Sequence, residues 1–105
     1  MIDQTLVGTI VDRILSASQP ERIILFGSAA AGTMTRDSDL DLLVIGEDAA
    51  DGRDASRRLR SALSDLGTPA DVFAMTPERF EETKGVIGGL AYPANKYGKV
   101  IYEAA

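Results

Sequence analysis

A chain of 105 residues builds one domain around one modest core, and we take residues 1–105 as that domain. It has no cysteine and no histidine, which excludes disulfides, thiolate metal sites, the usual zinc centres and any catalytic arrangement resting on an imidazole base. A net charge of −5 argues against direct nucleic-acid binding, and no apolar stretch approaches the length that spans a membrane.

The N-terminal stretch lacks a basic region and carries Asp3, so it does not read as a signal peptide, and a cytoplasmic location is the default expectation. From residue 3 to about 17, Leu6, Val7, Ile10, Val11, Ile14 and Leu15 recur at helical spacing and predict an amphipathic helix that Pro20 ends. The apolar run 22–26 suits a strand buried on both faces. Gly27-Ser28 interrupts it. Ala29 to Ala31 favour a short helical turn, Gly32 can close it, and 33–38 reads as a loop.

A second strand is predicted over 39–45, then an acidic loop over 46–54. Ala55, Leu59, Leu63 and Leu66 place a second amphipathic helix over 53–66, stopped by Gly67 and Pro69. Residues 70–75 form a third strand. Thr76 caps a further helix with Pro77 in its first turn. Past Gly85 the glycines and prolines blur the pattern, and 97–103 reads as a last extended segment.

Three features carry chemistry. Gly27 lets the backbone turn sharply and lets a ligand come close, while Ser28 and the free N–H groups beyond it can cradle phosphate oxygens. The alternative is a plain strand-to-helix turn. Asp39 and Asp41 sit two apart on a strand and therefore share one face, with Leu40 and Leu42 on the other. Such a carboxylate pair offers hard oxygen ligands for Mg²⁺; the alternative is a solvated acidic turn. Asp71 opens a third apolar strand, where a carboxylate is costly to bury unless it is paired or metal-bound; the alternative is an exposed strand end.

Geometry links the three. A strand, a helix and another strand make a parallel crossover pair, which brings Asp39, Asp41 and Asp71 to one sheet edge if those strands are neighbours. The Gly27-Ser28 turn reaches the same edge only if the first strand runs antiparallel to the second. The result is a mixed sheet with a phosphate cradle beside three carboxylates, an arrangement suited to two metal ions. Two other motifs fail. Gly27 and Gly32 have P-loop spacing, but Thr33 and Met34 stand where Lys and Ser or Thr belong. Asp37, Asp39 and Asp41 mimic an EF-hand start, but Leu42 replaces its glycine.

Gly27-Ser28, ten residues, Asp39-Leu40-Asp41-Leu42 and a later Asp71 resemble the signature of the nucleotidyltransferase superfamily. The fuller stretch 25–45 and the short chain resemble its minimal nucleotidyltransferase (MNT) family, which includes the antitoxin partners of HEPN toxins. The resemblance implies an α/β fold: a mixed β-sheet with helices packed against it. It implies that Gly27 and Ser28 hold the triphosphate of ATP, that Asp39, Asp41 and Asp71 hold two Mg²⁺, and that Asp71 also helps deprotonate the acceptor hydroxyl. Many similar chains carry Arg where Ala29 stands here, and Arg36 is the nearest replacement in sequence.

The expected activity is AMP transfer from ATP to a hydroxyl on a helical HEPN-type partner, which should be basic enough to complement the acidic chain. Two alternatives stand beside it: an antitoxin or scaffold that acts by binding alone, and transfer to a small molecule. A homo-oligomer is not excluded.

Overall fold

Continuous apolar runs belong in strands covered on both faces, and two such runs form the centre of this molecule. The computed structural model describes residues 4–27, 40–47, 49, 52–67 and 69–104. In chain order these give α1 (Gln4–Ala17), β1 (Arg22–Phe26), β2 (Leu40–Ile45), α2 (Arg53–Ala62), β3 (Ala70–Met75), α3 (Pro77–Thr83), α4 (Ala91–Tyr97) and β4 (Lys99–Glu103). The strands lie in the order β3-β2-β1-β4. β2 and β3 are parallel, joined through α2, whereas β1 runs antiparallel to both of its neighbours. The sheet is therefore mixed, as expected, with the first strand reversed against the second.

Strand alternation divides the core into two layers. Ile23, Leu25, Leu40, Leu42, Val44 and Val72 face α1 and α2, which contribute Ile10, Ile14 and Leu59, with Leu63 just beyond α2. Ile24, Phe26, Leu43 and Ile45 face the other way, against Phe80 of α3 and Ala91 and Ala94 of α4. The stripe on α1 is wider than the surface it buries: Ile10 and Ile14 are fully covered, but Leu15 is 38% exposed. Arg13 ties α1 to α2, donating to the Asp65 carboxylate and to the Ala62 carbonyl.

Two boundaries differ from the sequence reading. α2 stops at Ala62, and Leu63 to Asp65 form a turn that keeps Leu63 buried and Leu66 against the core. Tyr97 ends a helix and does not open a strand. α4 escaped notice because Pro93 lies inside it, yet only in the first turn, where a missing N–H breaks no helical bond. Gly98 then lets β4 begin, since a Cβ there would lie 2.6 Å from Ile24 Cγ2 and 3.0 Å from the Leu25 carbonyl oxygen. Thr76 caps α3 as expected, accepting from the Arg79 N–H at 3.2 Å.

Candidate active site

The site sits where β1 ends and where β2 and β3 begin. Residue pairing there is direct: Phe26 lies opposite Asp41 on β2, and Asp41 lies opposite Asp71 on β3. Adjacent strands are about 4.8 Å apart, so the two aspartates are next neighbours on one edge. They also share a face. Leu43 and Ile45 of β2 lie in the layer with α3 and α4, with Phe73 and Met75 of β3 packed against it, and Asp41 and Asp71 each stand two residues before the first of these. Leu40, Leu42 and Val72 point into the opposite layer. Both aspartates are half-buried. Beneath them the Phe26 and Phe73 rings meet at 6.3 Å, tilted by 47°, giving the edge an apolar floor.

Gly27 follows β1 directly and holds φ at +76°, in the left-handed region that favours glycine. A side chain there has no room. A Cβ would overlap Oδ2 of Asp41 and lie 3.2 Å from its Cγ. The glycine is demanded by its backbone angle, and any Cβ would also have to displace the Asp41 carboxylate lying over it. Sequence reasoning assigned Gly27 to ligand access and gave no sign of this contact with Asp41, which becomes visible only when β1 and β2 are laid antiparallel in register.

Of the five residues expected at the site, the structure brings together Gly27, Asp41 and Asp71. Ser28 and Asp39 lie outside the described residues, as do Ala29 and Arg36. Among the described residues no group of three or more carboxylates gathers as a metal site. The pair that is described suits a hard divalent cation: two oxygen-donor side chains of like charge lie side by side, next to a backbone without a Cβ. A cleft of about 340 Å³ opens elsewhere, at the far end of the sheet, lined by Arg22, Ile45, Phe80 and Glu103 among others.

A family model for the nucleotidyltransferase domain matches residues 7–92. No curated protein sequence matches the chain. Among solved structures, the chain is similar to a toxin–antitoxin with AMP-PNP, with 25% identity and a TM-score of 0.59 over 93% of this chain and 73% of that one. It shares its fold with a mutant of the toxin–antitoxin MntA-HpeT, at 20% identity and a TM-score of 0.67 over 93% of this chain and 73% of that one. The same holds for a tri-AMPylated Shewanella oneidensis HEPN toxin in complex with MNT antitoxin, at 19% identity and a TM-score of 0.62 over 98% of this chain and 74% of that one. The family match runs from α1 through all three strands that meet at this edge, and it includes Gly27, Asp41 and Asp71: the chain belongs to the nucleotidyltransferase domain family.

Proposed function

We propose that this chain transfers AMP from ATP to a hydroxyl on a HEPN-type protein, as the MNT partner of a toxin–antitoxin pair. The observation that carries the reading is the register pairing of Asp41 with Asp71 beside Gly27. Asp41 and Asp71, joined by Asp39 two residues before Asp41 in sequence, would hold Mg²⁺. The metal would supply Lewis-acid stabilisation of charge on the phosphoryl oxygens. Gly27 leaves room for the triphosphate to approach the backbone, and Ser28 follows it as a donor.

In the transfer, the acceptor oxygen bonds to the α-phosphorus as the bond to the pyrophosphate oxygen breaks. Pyrophosphate leaves, and the hydroxyl proton passes to a carboxylate, in this reading Asp71. Such a reaction depends on holding the hydroxyl in line with the leaving group, so an acceptor that is not docked reacts slowly. Support for ATP and for a HEPN partner comes from the AMP-PNP complex and from the AMPylated toxin among the similar structures.

The test is incubation with labelled ATP and Mg²⁺, with and without the protein encoded beside this chain. Label should enter the partner as one or more AMP units on Tyr, Ser or Thr. The joint change of Asp39, Asp41 and Asp71 to Asn should abolish labelling. If that variant still protects cells from the partner, binding suffices and the catalytic reading falls.

A further inference from the structure

The charges of this protein are unevenly placed. All three lysines, Lys84, Lys96 and Lys99, fall between residues 84 and 99, and no Asp or Glu lies between Thr83 and Tyr102; Lys84 is ion-paired with Glu81 of α3, so the strip's charge rests on Lys96 and Lys99. The rest of the chain holds the other eight basic residues against all sixteen acidic ones. The same stretch is also where apolar surface is left uncovered. Val86 is 57% exposed, Ile87 80%, Leu90 39%, Tyr97 64% and Val100 52%. Leu15, on α1, is the one other large hydrophobic that is exposed among the described residues.

These residues belong to elements of one layer. The turn 84–90 joins α3 to α4, and both helices pack through Phe80, Ala91 and Ala94 onto the sheet face that carries Asp41 and Asp71. Val100 pairs with Ile24, a residue of that same layer. Lys96 is fixed within the strip: its ammonium donates to the Tyr92 hydroxyl at 3.1 Å and stands 5.4 Å from the ring centres of both Tyr92 and Tyr97. Scattered exposed hydrophobics are ordinary, but five in fifteen residues with no acid among them are an interaction surface in composition: apolar and aromatic centre, charged rim.

We propose that the strip from Lys84 to Val100 is the docking surface for a partner protein that presents an apolar patch rimmed by Asp and Glu. Three occupants compete, and charge separates them. A second copy docking strip to strip sets lysines against lysines. An anionic bilayer is flat and extends past the strip, where it meets the acidic remainder of the chain. A protein can be acidic opposite the strip alone. The partner expected from net charge was a basic one; the contact surface calls for a locally acidic one. The proposal rests on the partnered function above, and it places the partner on the face that bears the two carboxylates.

The experiment measures the affinity of the full chain for the protein encoded beside it, by titration calorimetry, for the wild type, Ile87→Asp, Lys96→Glu and Leu15→Gln. Ile87→Asp should weaken binding about tenfold or more, the scale of a truncated anchor at an interface centre. Lys96→Glu should slow association and flatten its salt dependence. Leu15→Gln should bind as the wild type does. A circular dichroism melt checks that Ile87→Asp folds, which its exposure favours. A complex that forms but is indifferent to Ile87→Asp and Lys96→Glu overturns the docking surface and leaves the partnered function standing; absence of any complex overturns both. Sedimentation of the chain alone and with phosphatidylserine vesicles covers the other occupants: self-association or vesicle binding abolished by Ile87→Asp overturns the proposal.

Discussion

The two ends of the sheet handle charge in opposite ways. At the end where β1 begins, Arg22 lies 3.4 Å from the Glu103 carboxylate of β4 and 6.0 Å from the centre of the Phe80 ring, and Lys84 pairs with Glu81 at 2.5 Å on neighbouring α3. Each cation there meets an anion or an aromatic face of its own chain. At the end where β1 finishes, two carboxylates face each other across adjacent strands, and a glycine stands where any side chain would collide with one of them. The first end is arranged to hold the fold; the second is arranged for something brought from outside. The 340 Å³ cleft belongs to the first end.

The contrast can be broken most severely at the second end. Asp41→Asn should lower nucleotidyl transfer by about 10³-fold or more, the scale of several kcal/mol of lost charge stabilisation, in a labelled-ATP assay. A thermal melt should show that the variant still folds. Gly27→Val should fail on both counts. Strain at φ +76° alone costs about 1–3 kcal/mol, and the added carbons displace the Asp41 carboxylate, so both ATP binding and the denaturant midpoint should drop.

At the first end the effects should be smaller and confined to stability. Arg22→Ala should cost about 0.5–1.5 kcal/mol in chemical denaturation, with transfer unchanged; a loss of activity would mean that the two ends are not separate. Least of all should follow from the α1–α2 tie. The hydrogen bond from Arg13 holds the Asp65 carboxyl below its ordinary range. A carboxyl lowered on folding adds stability above its unfolded value and loses it as pH falls through the folded one. Asp65→Asn should therefore lower stability slightly at neutral pH, leave it unchanged at a pH below the folded titration, and so flatten the acid limb of the stability–pH curve.

Most of this architecture was legible in the sequence because periodicity reports burial. The runs 22–26 and 40–45 announce strands covered on both faces, and the strand–helix–strand order dictates the parallel pair that sets Asp41 against Asp71. The reversal of β1 followed from chemistry, since only that direction brings Gly27 to the carboxylates. Residues 84–97 were opaque for a physical reason: Gly85, Gly88, Gly89 and Pro93 mask a helix whose inward side chains are the alanines Ala91 and Ala94, too small to write an apolar stripe. The exposed strip falls in the same blurred stretch, where no apolar period tells a covered side chain from an open one.

The one-to-one pairing of β2 with β3 sets how this protein tolerates changes of length. Side chains alternate with a period of two, so removing one residue inside β3 would carry Asp71 to the opposite face and Val72 out of its layer, even with every backbone bond remade. Residues added between β2 and β3 but outside α2, whose Leu59 packs in the core, are absorbed by a connection that crosses outside the sheet. Homologous chains should therefore vary freely in the length of that crossover while the spacing from Leu40 to Ile45, and from Ala70 to Met75, admits no insertion or deletion.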